Sequence, residues 1–364
     1  MFKSLMTLLL VLITTQALTQ QNIEGFINEQ AKLYMQSQQH VGLSIGIIQN
    51  GAMHTYHYGS VRKDSQSLPT DTTIYEIGSV TKTFTGLLLA HAVMEKKISL
   101  QDDVRKYLDT TYTKWMNPYE VKIIHLANHT SGLPKNVPAF KSANAEDIIK
   151  QFHHFSENEF LQSLNGITLN VEPGKQYSYS NADVQLLGII LQKVYSMSYA
   201  DLLEKYITRP YNMPDTKLTI NAGDHKRMVT GYDSSGNAMP QANMWKAIPE
   251  AGYLKSSTRD LLNYLQANMD TKNDTVMLAQ QTTFTHTDED DNDIGLYWFI
   301  DKRPDGYTQV NHAGGTFGCT SYCMMIPSLK TGIVCLTNDA APRTEHALKV
   351  LANNIANKLI IKKK

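Results

Sequence analysis

Cysteine, charge of one sign and long apolar runs are all scarce in this sequence of 364 residues. Its three cysteines are an odd number clustered in one segment, which excludes a disulfide framework. The 34 basic and 34 acidic side chains cancel, so the chain lacks the basic excess that binding to nucleic-acid phosphates requires. The apolar run Leu5–Ile13 is much shorter than the roughly 20 residues that span a bilayer. We therefore expect neither a nucleic-acid partner nor a stable membrane span.

What remains is the composition of a folded globular chain, with 42% hydrophobic and 19% charged residues. These fractions exclude a disordered polymer and a fibre. At roughly 100 to 200 residues per domain, the length allows two or three structural units, or one large unit with ample material for a core.

The N-terminal residues have the anatomy of a secretory signal peptide. One lysine precedes the apolar run, and small and polar residues follow it, with Thr15 and Ala17 at the spacing of a cleavage site. We expect residues 1–17 to be removed and the mature protein to be secreted or periplasmic. No cysteine lies near that site, so a lipid-modified N-terminus has no acceptor.

The three cysteines are Cys319, Cys323 and Cys335. If a hairpin turn centres near Leu329, Cys323 and Cys335 would face each other, and an oxidising compartment would permit a bridge. A pair of small buried thiols is the preferred interpretation.

Apolar periodicity predicts strands near both ends of the chain and helices in its middle. An Asn-Gly pair between two alternating strands is a strong hairpin signal. In chain order we predict a helix over 22–37, a hairpin turning at Asn50-Gly51, a buried helix over 78–95, mainly helical chain over 99–215, strands within 295–301, 308–326 and 332–338, and a closing helix over 343–360.

These elements predict an α+β fold in α/β/α layers. An antiparallel sheet is built from both chain ends, helices cover its faces, and a mainly helical lobe is inserted. We expect one domain over residues 20–361, with a sheet lobe over 20–85 and 250–361 and a helical lobe over 86–249. A pocket at the seam of the two lobes is the expected place for a site.

Three patterns that mark sites in other proteins have ordinary structural interpretations here. The run Gly42–Gly46 has Ser44 at the spacing of a nucleophile elbow, but its flanks continue as strand instead of turning into a helix. His125 and His129 are four residues apart, as in zinc helices, but the glutamate of a His-Glu-x-x-His site is absent. The acidic run 288–293 lacks the turn glycine and the closing glutamate of a calcium loop.

The pattern Ser-x-x-Lys occurs twice, at Ser60–Lys63 and at Ser79–Lys82. The first copy begins a polar loop, whereas the second opens the apolar helix, where residues three apart can meet. A serine hydroxyl is a poor nucleophile until a base takes its proton, and a lysine amine can do so only when its pKa is lowered. The alternative is that Ser79 is simply a helix cap.

Two later motifs supply further polar groups. Tyr179-Ser180-Asn181 follows a Pro-Gly turn and precedes an apolar helix, so a tyrosine oxygen could pass a proton and an amide could orient both substrate and Lys82. The alternative is a turn capped by Asn181. The run 312–315, His-Ala-Gly-Gly, begins a late strand, where a cation or hydrogen-bond donor could hold a carboxylate. The competing run 330–332, Lys-Thr-Gly, falls in a hairpin turn, and we reject it.

In order and context these motifs resemble those of the penicillin-recognising serine hydrolases. The strings YEIGSVTK, YSN and HAGG are similar to the three active-site motifs of that family. The strings HLANHTSGLP, PGKQYSYSNADVQLLG, AGYLKSSTRDL and IVCLTN resemble it too, so the likeness spans about 25 to 360. The nearest resemblance is to the branch with class C β-lactamases and Streptomyces-type D-alanyl-D-alanine carboxypeptidases.

The resemblance implies a β-lactamase/transpeptidase-like fold and an acyl-enzyme mechanism. Ser79 would attack a carbonyl, Lys82 and Tyr179 would shuttle protons, and Asn181 would orient the substrate amide. The backbone amides of Ser79 and Gly315 would form the oxyanion hole. No metal or organic cofactor is implied, and the expected partner is a small peptide, β-lactam or ester substrate.

Two departures from the family pattern bear on specificity. Class C β-lactamases usually carry Lys-Thr-Gly where this chain has His312-Ala313-Gly314. A motif that begins with histidine is more similar to the motifs of carboxypeptidases, D-aminopeptidases and esterases of the family. Ala313 and Gly315 lack hydroxyls, so Thr316 is the nearest hydroxyl for a substrate carboxylate. We expect a D-alanyl-D-alanine carboxypeptidase-like hydrolase; the alternatives are a β-lactamase, a small-ester hydrolase, or a penicillin-binding sensor or inactive scaffold.

Overall fold

An antiparallel sheet is the centre of the computed structural model, which describes residues 22–36, 40–152, 154–241, 249–285 and 292–361. The sheet has seven strands in the order β2-β1-β9-β8-β7-β6-β5, so two strands from the N-terminal part of the chain lie directly beside five from the C-terminal part. A small second sheet pairs β3 with β4. The strands are β1 Gly42–Gln49, β2 Ala52–Gly59, β3 Ile74–Glu76, β4 Lys255–Ser257, β5 Asp293–Ile294, β6 Phe299–Lys302, β7 Thr308–Gly315, β8 Thr320–Ile326 and β9 Thr331–Thr337.

Helices flank this sheet. Between β3 and β4 the chain forms a series of helices that are separated by turns and irregular segments. The first helix of the chain, α1, takes residues 22–35. The others are α2 Thr81–Met94, α3 Ile123–Ala127, α4 Ala145–Phe152, α5 Glu157–Leu164, α6 Asn181–Tyr195, α7 Tyr199–Leu203, α8 Ala222–His225, α9 Pro249–Gly252, α10 Thr258–Asn268, α11 Asp274–Ala279 and α12 Thr344–Ile361.

Two apolar layers lie on opposite faces of the sheet. On one face α1 and α12 pack against residues of β1, β8 and β9, as Ile27 and Leu348 illustrate. On the other face α10 lies against β1, β8 and β9 and meets α2, where the rings of Phe84 and Tyr264 stack with centroids 4.0 Å apart. The predicted α+β fold in α/β/α layers, with an antiparallel sheet built from both chain ends, is confirmed.

The predicted hairpin at Asn50-Gly51 is present, with Gln49 paired to Ala52. Asn50 and Gly51 have φ values of 51° and 84°, the left-handed conformation that a two-residue hairpin turn requires. Ser44 therefore lies inside a strand, as predicted, and its hydroxyl bonds His57 and Tyr75 with no exposed surface.

The predicted strand over 295–301 is only half right. Strand β6 begins at Phe299, because the residues before it form a turn in which Gly295 N–H donates to the Trp298 carbonyl. Tyr297 has a φ of 65°, which interrupts extended chain. An apolar run alone does not reveal such a turn.

The cysteines are free and buried. The β8–β9 register pairs Tyr322 with Cys335 and Cys323 with Val334, one residue away from the register that a turn centred at Leu329 would give. Because a shift of one residue reverses the face of a strand, Cys323 packs in one apolar layer and Cys335 in the opposite one. The preferred interpretation of two buried thiols is confirmed, and the alternative of a bridge is wrong.

Two predictions lie outside the described residues: the signal peptide over 1–17 and most of the acidic run 288–293. Among the residues that the structure does describe, no helix is long and apolar enough to cross a bilayer. The same residues contain no group of three or more metal-binding side chains, so His125 and His129 are not part of such a cluster.

Candidate active site

Ser79 lies in a single 3₁₀ turn, Gly78–Val80, which leads directly into α2. The helix forms in an apolar stretch, and its residues from Thr81 to Ala90 are all buried. Ser79 itself is half-buried and faces a cavity. Its side chain does not cap the helix, so the structure does not support the cap interpretation.

Lys82 is completely buried one turn after Ser79. Its Nζ lies 3.0 Å from Ser79 Oγ and donates to the Ala251 carbonyl oxygen at 2.5 Å. Burial, assisted by the positive charge of Lys135, holds the pKa of the Lys82 amine well below its ordinary value of 10.5. The side chain is therefore suited to accept the serine proton at neutral pH.

The Ala251 carbonyl is a partner of Lys82 that the sequence analysis missed. It belongs to α9, which is tied to α2 because the Thr85 hydroxyl donates to the Glu250 carbonyl at 2.9 Å. The Glu250 side chain is buried, which raises the pKa of its carboxyl to about 8. The string AGYLKSSTRDL, which contains Ala251, was the available signal, but nothing local connects it with Lys82.

Tyr179 approaches the same pair of residues from the helical part of the chain. The centre of its ring lies 5.0 Å from Lys82 Nζ. Burial raises the pKa of the Tyr179 phenol above its ordinary value, although a hydrogen bond with Ser79 works in the opposite direction. Tyr179 is therefore a protonated phenol in contact with the serine, beside an amine whose pKa is lowered.

Asn181 begins α6, and Ser180 is the N-cap of that helix, since its hydroxyl accepts from Asp183 N–H at 3.1 Å. The Asn181 amide nitrogen donates to Asn136 Oδ1 at 2.8 Å. The described hydrogen bonds of Lys82 go to Ser79 and Ala251, so the expectation that Asn181 orients Lys82 is wrong. The Asn181 side chain still lines the cavity, where it can meet a substrate.

His312 lies on β7 and is buried. Its Nδ1 is 2.5 Å from the Ala313 carbonyl oxygen, so Nδ1 carries the proton, and its ring centre is 5.2 Å from that of Phe299. Burial and the neighbouring Lys82 lower the pKa of His312 to about 3. This lowered pKa favours the neutral imidazole over the cation that the sequence also allowed.

Gly314 and Gly315 differ in what surrounds them. A β-carbon at Gly314 would lie 2.1 Å from the Ile77 carbonyl oxygen and 2.8 Å from the Ser79 amide nitrogen, so β7 packs directly on the turn that carries Ser79. A β-carbon at Gly315 would have no atom within 4 Å. Gly78, with φ 49°, is the residue of the Ser79 turn that packs against Gly315. A β-carbon at Gly78 would lie 2.7 Å from the Gly315 nitrogen.

We expect Gly314→Ala to impair acylation strongly and Gly315→Ala to be tolerated. The methyl group at Gly314 would push rigid backbone, and a shift of about 1 Å in a reacting group can cost about 10²-fold in rate. Stopped-flow acylation with a chromogenic β-lactam checks this pair of variants. Equal rates for the two variants would contradict the close packing of β7 on the Ser79 turn.

Thr316 lines the cavity, but its hydroxyl is used by its own turn. Thr316 Oγ1 accepts from Cys319 N–H at 3.0 Å and from Gly318 N–H at 3.4 Å, and its hydroxyl donates to the Cys319 carbonyl at 3.5 Å. The expectation that this hydroxyl grips a substrate carboxylate therefore finds no support in the geometry.

The rejected run 330–332 lies far from Ser79. Lys330 is in the β8–β9 turn with φ 47°, next to the pair Ile326 and Thr331. Gly315 pairs with Thr320 at the opposite end of the same strand β8. The choice of the histidine motif over the Lys-Thr-Gly run agrees with this arrangement.

The other Ser-x-x-Lys copy, Ser60–Lys63, is not a paired site. The Ser60 hydroxyl donates to the Ser65 carbonyl at 2.6 Å, while Lys63 Nζ donates to the Gly236 carbonyl at 2.7 Å. The two side chains therefore have separate backbone partners.

All the predicted site residues except the buried Lys82 line one cavity of about 490 Å³. The sequence analysis missed three aromatic residues that line this cavity. It also missed two charged lining residues, Lys135 and Glu345, which are both exposed. Lys135 and Asn136 directly follow the string HLANHTSGLP, which was a usable signal, whereas Glu345 comes from the distant α12. The aromatic members are Phe140, Phe299 and Phe317.

Comparison with known proteins agrees with this geometry. The β-lactamase family model matches residues 27–357. A β-lactamase of Providencia stuartii is 28% identical over 93% of this chain and 91% of its own length. Two solved structures have a TM-score of 0.78: a β-lactamase/D-alanine carboxypeptidase from Yersinia pestis, 21% identical over 88% of this chain and 94% of its own, and a mutant of a class C β-lactamase, 23% identical over 92% and 97%. The chain therefore belongs to the β-lactamase family of serine hydrolases.

Proposed function

We propose that this hydrolase works through an acyl-enzyme on Ser79, cleaves D-amino-acid peptides with a C-terminal carboxylate, and is acylated by penicillins. The observation that carries the proposal is the buried Lys82 amine 3.0 Å from Ser79 Oγ, with a pKa well below its ordinary value. An exposed or charged lysine would have no capacity to take the serine proton.

The proposed reaction balances its protons within the described residues. Ser79 Oγ attacks the carbonyl carbon as its proton moves to Lys82 Nζ, and the oxyanion is held by the amides of Ser79 and Gly315. The proton then passes through the Tyr179 hydroxyl to the leaving nitrogen, whose bond to the carbonyl carbon breaks. In the second half, water attacks the acyl carbon, gives its proton to the same pair, and Ser79 leaves with a proton.

The charges of the cavity support a substrate with a carboxylate. Among the cavity-lining residues that the structure describes, His312 is uncharged and Glu345 is acidic, so Lys135 is the cation that a carboxylate can meet. The similar structure from Yersinia pestis bears the name of a D-alanine carboxypeptidase as well as a β-lactamase. Cell-envelope peptides also fit the proposed export of the protein by residues 1–17.

A small-ester or β-lactam hydrolase is the second candidate. The specific observation in its favour is that the Thr316 hydroxyl donates to the Cys319 carbonyl within its own turn, which leaves one fewer donor for a carboxylate. A penicillin-binding sensor would use the same acylation without rapid release.

Side-by-side turnover of three substrates tests the proposal. We expect the wild-type protein to cleave a D-alanyl-D-alanine peptide faster than nitrocefin, and to be labelled by a fluorescent penicillin. Fast nitrocefin hydrolysis without peptide cleavage would favour a β-lactamase, and preference for a nitrophenyl ester would favour an esterase. Stable labelling without turnover of any of the three would favour a sensor.

A further inference from the structure

We propose that His129 is a positioning residue that holds Tyr179 at Ser79 by binding the backbone on both sides of the tyrosine. The inference rests on the proposed function, because it assigns His129 a role through the Tyr179 hydroxyl. It goes beyond the sequence motifs, in which His129 is only one of two structural histidines.

The hydrogen bonds of His129 bracket Tyr179. The amide of Ser178 donates to the His129 carbonyl oxygen at 2.8 Å, and the amide of Ser180 donates to His129 Nδ1 at 3.2 Å. The rings of His129 and Tyr179 are also in contact, with centroids 4.7 Å apart at an angle of 40°. One residue therefore fixes the backbone before Tyr179, the backbone after it and one side of its ring.

His129 is itself held firmly just beyond the end of α3. It is 1% exposed and has a φ of 59°, a left-handed conformation that is costly for a residue with a β-carbon. In this conformation the carbonyl oxygen of His129 lies at the Ser178 amide and its Nδ1 lies at the Ser180 amide. The same left-handed residue ends α3, because His129 N–H donates to the Leu126 carbonyl at 3.4 Å and Thr130 N–H donates to the His125 carbonyl at 2.9 Å.

The surroundings of the ring keep Nδ1 available as an acceptor. Because Ser180 N–H donates to Nδ1, the neutral ring carries its proton on Nε2. Burial, with Lys82 and His312 nearby, lowers the pKa of His129, so the ring stays neutral. Asp183 Oδ2 lies 3.4 Å from Nδ1, and burial raises the pKa of this carboxyl.

The residues that follow His129 also bind the chain around Tyr179. The Ser180 hydroxyl donates to the Pro134 carbonyl at 2.8 Å, and the backbone N–H of Asn181 donates to the Lys135 carbonyl at 2.8 Å. The motif of Tyr179 is thus attached along its length to residues 129–136, and His129 is the part of this segment that flanks the tyrosine itself.

The test compares His129→Gly with His129→Asn. Both residues accept a left-handed backbone, but only asparagine places an oxygen acceptor near the position of Nδ1. We expect His129→Gly to lower the acylation rate constant about 10²-fold through misplacement of Tyr179. We expect His129→Asn to recover most of that loss. His125→Asn, which changes the other histidine of the same segment, is the matched control and should react at the wild-type rate.

A double-mutant cycle distinguishes positioning from a general loss of structure. If His129 acts through the tyrosine, His129→Gly should add little to the defect of Tyr179→Phe. A full additional loss in that background, or equal impairment of the glycine and asparagine variants, would overturn the inference. If the glycine variant does not fold, His129→Ala takes its place in the cycle. A wild-type rate for Tyr179→Phe alone would instead refute the relay in the proposed function.

Discussion

Ser79→Ala is expected to remove acylation by penicillin and turnover of every substrate. The Ser79 hydroxyl is the atom that forms the acyl bond, so its loss leaves no covalent route, and removal of a serine nucleophile can cost about 10⁶-fold in rate. Fluorescent penicillin labelling, resolved on a denaturing gel, measures this directly because only covalent adducts survive denaturation.

The other Ser-x-x-Lys copy, Ser60–Lys63, supplies the matched control for Ser79. Ser60 has the same local pattern, but its hydroxyl donates to the Ser65 carbonyl, and the Lys63 amine donates to the Gly236 carbonyl instead. Ser60→Ala should therefore be labelled like the wild type. Equal labelling of the wild type and Ser79→Ala would remove Ser79 as the nucleophile and with it the proposed reaction.

Lys82→Met is expected to lower the acylation rate constant about 10³-fold, a value typical of the loss of a general base. Methionine has a similar length and suits a fully buried position, so the change removes the amine while the volume stays filled. The control is Lys63→Met, which changes the lysine of the other copy and should leave the rate unchanged. A wild-type rate for Lys82→Met would show that another group takes the serine proton.

The pH dependence follows from the direction of the Lys82 pKa. Only the uncharged amine accepts a proton, so acylation should fall as pH decreases through the lowered pKa and stay high above it. His312 adds no second change near neutrality, because its pKa of about 3 keeps it uncharged there. The measurement is the acylation rate constant of the wild type as a function of pH, with protein stability followed in parallel.

Local sequence was sufficient for the elements that carry the site. The apolar helix after Ser79, the left-handed Asn50-Gly51 turn and the closing helix α12 all depend on residues close in the chain, which is why they were predictable. The Ser79–Lys82 contact was also predictable, since residues three apart on one helical turn must lie near each other. The resemblance then placed Tyr179 beside them.

Features that depend on distant contacts were not predictable in the same way. The charge state of His312 depends on burial and on Lys82, and no local pattern reports either. The hydroxyl of Thr316 is occupied by a turn, and Ala251 reaches Lys82 through the packing of α9 on α2. The register of β8 and β9, which separates Cys323 from Cys335, is fixed by how the whole strands pair.

Direct titration of the Lys82 amine tests the central claim, which is that an uncharged lysine activates Ser79. NMR of protein with isotope-labelled lysine, with the Lys82 signal assigned by its absence from Lys82→Met, follows the side-chain resonance as pH changes. We predict a midpoint well below the ordinary lysine value of 10.5. A midpoint at or above that value would mean that Lys82 is charged at neutral pH, and the account of Ser79 activation would be wrong.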